Sequence, residues 1–281
     1  MVIFKKIKDL KEYIASKRGK EGRIGFVPTM GALHAGHISL VEKAKEKGEI
    51  TVCSIFVNPT QFNDKKDLEK YPVSTEADIE LLINAGCDVL FLPAVSEIYP
   101  DGEDEVKAYE FGYLDTILEG AKRPGHFKGV GQVVGRLLEI VAPDALYLGQ
   151  KDYQQCMVIK KLVEQMEVKN LDVVICPTVR EADGLAMSSR NRRLTEPQRV
   201  TASLIYQCLV SIQSKQGNSS FAVVRKECED ILRSKGFDID YVALANANDL
   251  TLMDNYKPET RMVALIAAKI GEIRLIDNMV L

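Results

Sequence analysis

The sequence lacks an excess of positive charge, a CxxC cysteine pair and any long apolar run. Lys and Arg total 37 against 40 Asp and Glu in 281 residues, a net charge of −3. A protein whose main task is to coat nucleic acid or an anionic membrane is more basic than this, so neither partner is expected; local basic sites for small anions stay open. There are six Cys, at positions 53, 87, 156, 176, 208 and 228. Cys53, Cys87, Cys156 and Cys176 lie in or beside apolar runs. Buried free thiols are therefore expected rather than disulfides or a metal cluster. The longest unbroken apolar run, Met262–Ala268, is far short of the roughly 20 residues that span a bilayer. The first residues carry charge from Lys5 onward without an apolar core, so no signal peptide is expected and the cytoplasm is the expected compartment. There is no internal repeat and no low-complexity tract. Hydrophobic residues at 46% and charged residues at 27% exclude a disordered chain or a collagen-like fibre.

What is present is an alternation of short Val- and Ile-rich runs with helical patterns. Ile7, Leu10, Tyr13 and Ile14 follow a helical period, so the chain is expected to open with a helix. Strands are expected over Arg23–Val27, Thr51–Val57, Asp88–Leu92, Ala145–Leu148 and Leu171–Cys176. Helices are expected from His37, over Ser74–Ala85 with Thr75 and Asp78 as a capping box, over Gly129–Val141 and over Tyr153–Gln165. Such alternation implies βαβ units and a parallel sheet covered on both faces. Residues 1–176 thus read as a doubly wound, Rossmann-like α/β domain. After Pro177 two helical patterns, Thr195–Ser214 and Phe221–Ser234, precede strand-like Tyr241–Ala245, Met262–Ile270 and Ile273–Ile276. Residues 177–281 read as a smaller C-terminal α+β domain, a lid.

The chain has three His, at 34, 37 and 126. Two of them stand in Pro28-Thr-Met-Gly-Ala-Leu-His-Ala-Gly-His37, between the first long strand and a helix. That is the ligand-binding edge of an open α/β sheet, where backbone N–H groups and the positive end of the helix dipole point. Gly31 and Gly36 would let backbone approach a phosphate. Three readings apply: a structural His pair, a metal site, or a phosphate site. Zincin-type metal sites place two His four apart on a helix with Glu between them, which this turn does not. The phosphate reading is preferred, because His carries positive charge near neutral pH.

A helix N-terminus contributes about 0.3–1 kcal/mol per charge, about 2 in good geometry, which is too little to hold and activate a polyanion such as ATP. Cationic groups must help. Two candidates follow strand ends or turns. Lys151, in Leu148-Gly-Gln-Lys-Asp-Tyr, reads alone as either a phosphate ligand or a surface lysine, with Asp152 starting a helix or orienting it. Met187-Ser-Ser-Arg190 reads alone as a helix cap, or as a polyphosphate clamp. Asn58 and Gln61, in Phe56-Val-Asn-Pro-Thr-Gln-Phe62, are neutral polar groups suited to a small ligand's hydroxyls and carboxylate. His126 lies in Arg123-Pro-Gly-His-Phe-Lys-Gly129, which reads equally as a surface turn.

Together, PTMGALHAGH (28–37), FVNPTQF (56–62), RPGHFKGV (123–130), LGQKDYQQ (148–155) and PTVREADGLAMSSRN (177–191) resemble the pantoate–β-alanine ligase (pantothenate synthetase) family over essentially the whole chain. The HxGH turn alone marks the wider nucleotidyltransferase superfamily. The resemblance implies condensation of pantoate with β-alanine through a pantoyl adenylate, with release of pyrophosphate and AMP. It implies that His34, His37, Lys151 and Arg190 are catalytic. It also implies an ATP site lined by Met30, Gly31, Ala32, Leu33, His34, Ala35, Gly36, His37, Gly149, Gln150, Lys151, Asp152, Val179, Met187, Ser188, Ser189 and Arg190. Gln61, Gln155 and Asn58 would bind substrate, and Asp78 would lie at a Mg²⁺ ion that accompanies ATP. A cytoplasmic homodimer is implied as well. Ala35 and Gln150 stand where many relatives have Glu, and Ala77 precedes Asp78 where relatives often have a second acid.

Overall fold

The computed structural model describes residues 1–18, 22–62, 68–69, 71–102 and 107–281. The chain divides into two compact units, Met1–Gly149 with Val158–Cys176, and Gln150–Met157 with Pro177–Leu281. The eight residues from Gln150 to Met157 therefore belong with the second unit, although their sequence position places them in the first.

The first unit is built on a six-stranded sheet. Its strands are β1 (Val2–Phe4), β2 (Ile24–Thr29), β3 (Ile50–Ile55), β4 (Val89–Phe91), β5 (Ala145–Gly149) and β6 (Asp172–Cys176). They run in the order β1-β4-β3-β2-β5-β6, and every pairing is parallel. This is the doubly wound α/β sheet expected from the alternation of patterns. Its helices include α1 (Ile7–Arg18), α2 (Ala35–Glu46), α3 (Thr75–Asn84), α4 (His126–Val141) and α5 (Tyr153–Gln165), the last running from one unit into the other. Val27, Cys53, Leu90 and Tyr147 meet Leu40, Val41 and Ala44 of α2 and Leu82 of α3 in one apolar cluster. Phe26, the next residue along β2, is fully buried and points to the opposite face. Both faces are thus covered, which is why the strands read as apolar runs rather than alternations.

β1 is a finding the periodicity did not contain. Three residues are too short to show a period, and Val2–Phe4 becomes a strand only because β4 offers a parallel edge, with Val2 opposite Val89. The capping box expected at α3 is also absent. Ser74 is the N-cap without a side-chain cap bond; its hydroxyl donates instead to Asp78, whose carboxylate also takes two backbone amides of the turn after β2. His126, read as a loop residue, is the buried first residue of α4.

The second unit holds α6 (Glu196–Ala202), α7 (Leu204–Ser214) and α8 (Phe221–Ser234), followed by β7 (Phe237–Asn246), β8 (Leu252–Met253), β9 (Met262–Ile270) and β10 (Ile273–Val280). These strands form an antiparallel sheet in the order β10-β9-β7-β8. The α+β reading holds, with Thr195–Ser214 divided into α6 and α7 at Ser203. Ile205, Leu209, Phe221, Val224, Val242 and Ile266 are among the residues of its own core.

No helix among the described residues is long and apolar enough to cross a membrane. All six cysteines are unbridged and buried. Burial raises the Cys87 thiol to about 11 and lifts Cys53 well above its ordinary value, so neither forms a reactive thiolate near neutrality. Native protein at pH 8 is expected to leave these thiols unlabelled by an aromatic disulfide reagent. In guanidinium, all six cysteines per chain should react. Rapid native labelling of Cys53 or Cys87, read by peptide mass spectrometry, would contradict their place in the core.

Candidate active site

The strand order reverses between β2 and β5. From β2 the chain moves outward through β3 and β4, then returns to lay β5 on the other side of β2. Ligands of such sheets sit outside the carboxyl ends of the strands at this switch point. β2 ends at Thr29, immediately before the His-containing turn, and β5 ends at Gly149, immediately before Gln150–Asp152.

The turn from Met30 to His37 is built by its own backbone and by α3. Thr29 Oγ1 donates to Ser54 O at 2.7 Å and accepts from Gly31 N at 3.2 Å. Gly31 (φ +81°) and Ala32 (φ +50°) both adopt left-handed backbone, which for a non-glycine residue costs roughly 1–3 kcal/mol. The turn is held by Asp78: Oδ2 accepts from Ala32 N and Oδ1 from Leu33 N, each at 2.8 Å. Ala32 and Leu33 are fully buried. Their amides serve Asp78, so the backbone N–H groups expected to face a phosphate at this sheet edge are those after Leu33.

His34 is the N-cap of α2, and its Nδ1 accepts from Gly36 N at 3.1 Å. An accepting Nδ1 puts the proton of the neutral ring on Nε2. The ring centroids of His34 and His37 lie 4.1 Å apart, so the two imidazoles form one group at the head of the helix. Ala35 is exposed on the first turn.

Asn58 and Gln61 stand on the turn after β3. Asn58 is buried, and Nδ2 donates to Gln61 Oε1 (3.3 Å) and to Gly129 O (3.2 Å). Its Oδ1 accepts from Tyr99 Oη (2.8 Å) and Thr60 Oγ1 (3.1 Å). These bonds use its two N–H groups and its oxygen. The ligand contact expected of Asn58 is thus replaced by a role in orienting Gln61, because a buried amide must satisfy its own polar atoms inside the protein. Gln61 Nε2 is directed to Met30 Sδ, 2.7 Å away. His126 Nδ1 lies 2.8 Å from Gln61 O, and its Nε2 lies 3.1 Å from Arg123 Nη1. A carbonyl only accepts and a guanidinium only donates, so this ring is neutral with its proton on Nδ1. A Cβ on Gly129 would come within 2.4 Å of Thr60 O, so only glycine lets α4 approach this turn. Arg123, His126, Gly129 and Tyr99 are thus supports that residue type alone did not reveal as such. The RPGHFKGV segment was the signal for Arg123, His126 and Gly129; Tyr99 had none.

In the second unit, Lys151 lies in the 3₁₀ turn Gln150–Asp152, its Nζ 3.7 Å from Asp152 Oδ1. The buried Asn278 of β10 donates to Gln150 O and Lys151 O, both at 2.9 Å. Its neighbour Asp277 takes both Arg180 terminal nitrogens, at 2.5 and 3.0 Å. Burial nevertheless holds the Asp277 carboxyl above its ordinary range. Arg180 also donates to Gly184 O and lies 4.4 Å over the Tyr206 ring. Met187 N bonds to Val179 O at 3.0 Å, closing the segment that presents Met187–Arg190. Ser188 Oγ accepts from Arg190 N at 3.3 Å and caps the 3₁₀ turn Ser189–Arg193. Ser189 is buried, Arg190 half-buried, and Gln155 half-buried in the first turn of α5. The sequence reading missed Arg180, Asp277 and Asn278. The only trace of the last two was a polar pair interrupting the apolar run of β10.

Asp78 does not fit as a Mg²⁺ ligand. Mg²⁺ demands open oxygen ligands in near-octahedral geometry. Both Asp78 oxygens already accept backbone N–H groups, Ser74 Oγ donates to Oδ1 at 3.0 Å, and the residue is buried. Among the described residues, no group of three or more His, Cys, Asp or Glu side chains could hold a metal ion.

A parallel α/β sheet with a histidine-capped helix at its switch point, and a buried amide wall beside it, defines a small-molecule enzyme of the doubly wound class. A model of the family described as pantoate-beta-alanine ligase matches residues 2–280. The chain belongs to that family and is a ligase. It is 43% identical over 279 residues to pantothenate synthetase of Bacteroides fragilis, covering 99% of this chain and 98% of that one. It is 44% identical over 277 residues to the Pseudomonas fluorescens protein of the same name, covering 98% and 96%. The crystal structure of pantothenate synthetase from Thermus thermophilus superposes with a TM-score of 0.91 at 39% identity, covering 99% of each chain. The Francisella tularensis enzyme, complexed with beta-gamma ATP and beta-alanine, gives 0.81 at 40% identity, covering 99% of this chain and 97% of that one.

Asn58→Ala is expected to remove one hydrogen-bond partner each from the buried Tyr99 hydroxyl and the Gln61 amide oxygen, a loss of about 1–3 kcal/mol. Urea unfolding should show this as a lower midpoint with an unchanged slope. An unchanged midpoint would return Asn58 to a ligand-contacting role.

Proposed function

We propose that the condensation of pantoate with β-alanine, driven by ATP, runs in this chain through a pantoyl adenylate. The pantoate carboxylate attacks the α-phosphorus and pyrophosphate departs. The amine of β-alanine then attacks the acyl carbon and AMP departs. A free carboxylate is a poor acylating agent, and adenylation supplies its leaving group. The observation that carries this reading is the paired imidazoles at the head of α2, 4.1 Å apart and outside the switch point of the sheet.

In this reading the Nε2–H of His34 and the ring of His37 hydrogen-bond to phosphate oxygens, and His37 gives a proton as pyrophosphate leaves. The helix dipole, the backbone that follows Leu33 in the turn and that of Gly149–Asp152 favour the same anion. Lys151 and Arg190 offset the repulsion between a carboxylate and a polyphosphate, with Val179 and Met187–Ser189 shaping the nucleotide's surroundings. Gln61 and Gln155 hold pantoate through neutral amides, which adds no charge to a site that must accept two anions. Asn58 contributes through Gln61. Mg²⁺ enters as the companion of the nucleotide phosphates. A homodimer in the cytoplasm completes the proposal; the family resemblance supports the dimer, and six unbridged thiols support a reducing compartment.

Exchange of labelled pyrophosphate into ATP, with pantoate and Mg²⁺ present and β-alanine absent, tests the adenylate directly. Pantoate-dependent exchange is expected, followed by equal amounts of AMP and pantothenate once β-alanine is added. Absence of exchange in folded, product-forming enzyme would favour a concerted route. His37→Ala should lower the exchange rate by roughly 10²–10⁴-fold without loss of fold; a loss under about fivefold removes His37 from the chemistry. Lys151→Ala should impair single-turnover adenylation while its thermal midpoint stays near that of the parent, and near-normal adenylation would make Lys151 a surface residue.

A further inference from the structure

We propose that Asp78 is a positioning residue for the nucleotide turn: its carboxylate fixes the left-handed Gly31–Ala32 backbone and thereby sets where α2 and His34 begin. The proposal rests on the adenylation reading for its kinetic consequence, and on geometry alone for the structural one.

Three observations converge on this residue. Its two oxygens divide between two successive backbone amides, each 2.8 Å away. Successive N–H groups of this kind form a concavity that binds an anion, and here a side chain of the same protein fills it. The carboxylate is itself steered by Ser74 Oγ, 3.0 Å from Oδ1, and Asp78 N is held by Ser74 O at 2.9 Å. The turn is also shaped to this acid. A Cβ on Gly31 would stand 3.1 Å from Asp78 Oδ2 and 3.1 Å from Ile55 Cγ2, so backbone and carboxylate close on each other from both sides.

The chemistry requires a carboxylate. Bonds from N–H groups to an ionised acceptor are about twice as strong as neutral ones. Asparagine has the same shape but turns one accepting oxygen into a donor facing a backbone N–H. Glutamate keeps both oxygens but carries them one methylene further. Leu33 is followed directly by His34, whose Nδ1 caps α2. A shift of the Ala32–Leu33 backbone therefore moves the cap and the imidazole together.

The test uses the full-length chain and its Asp78→Asn and Asp78→Glu variants, with two readouts. In amide exchange followed by mass spectrometry, Asp78→Asn is expected to accelerate exchange at Ala32 and Leu33 while the strands β7 and β9 of the second unit exchange as in the parent. In pyrophosphate exchange, kcat/KM for ATP is expected to fall roughly 10–100-fold, with the Mg²⁺ concentration at half-maximal rate unchanged and excess Mg²⁺ giving no rescue. Unaltered exchange at Ala32 and Leu33 overturns the proposal. So does activity restored by added Mg²⁺, which would make Asp78 a metal ligand. If Asp78→Asn does not fold, Ser74→Ala, which removes only the steering hydroxyl, takes its place with the same two readouts and a smaller expected effect. If the parent protein itself shows no pyrophosphate exchange, the adenylation reading fails, and the amide-exchange arm still decides the role of Asp78.

Discussion

Backbone amides at the end of β2 have to be satisfied inside the protein, and the fold turns on how this is done. Ala32 and Leu33 are fully buried, so two amides left without partners there would carry a desolvation cost of about 1–3 kcal/mol each. Asp78 meets both with one carboxylate. That single interaction permits the left-handed backbone at Gly31 and Ala32, starts α2 at the right point, and brings the imidazoles of His34 and His37 together. It also ties α3 to the strand end, so the helix following β3 helps define what β2 presents.

The same economy recurs in both units. Buried Asn and Asp side chains spend their hydrogen bonds on neighbouring protein groups and so orient the segments around them. Asn58 uses its whole hydrogen-bonding capacity to orient Gln61, and His126 is locked as one neutral tautomer between Gln61 O and Arg123. In the second unit Asn278 holds the carbonyls of Gln150 and Lys151, while Asp277 fixes Arg180. A buried ion pair of this type gives little net stability, since desolvation offsets attraction. Its effect is to specify one arrangement of the segments that carry Lys151 and Ser188–Arg190.

Much of this was legible in the residues. The parallel sheet followed from Val- and Ile-rich runs alternating with helical periods, and α5, α8 and β9 begin and end where the patterns do. The histidine turn was legible because its residue types are rare in this chain and sit between a strand and a helix. β1 and β8 were not, since strands of three and two residues carry no period and exist only through their neighbours. The break at Ser203 was not legible either, because the helical pattern of the sequence continues across it.

Sequence by itself determined the class of fold, the order of its longer elements, the family, and several of the polar residues that gather at strand ends. These depend on local periodicity and on residue types that chemistry makes scarce. Tertiary structure alone decided what each polar residue does there. Asp78, read as half of a capping box or a metal ligand, and Asn58, read as a ligand contact, are both internal supports. The reason is physical: whether a side chain faces a ligand or a buried amide depends on groups that are distant in the chain, 46 residues away for Asp78 and Ala32, and no local pattern encodes that meeting.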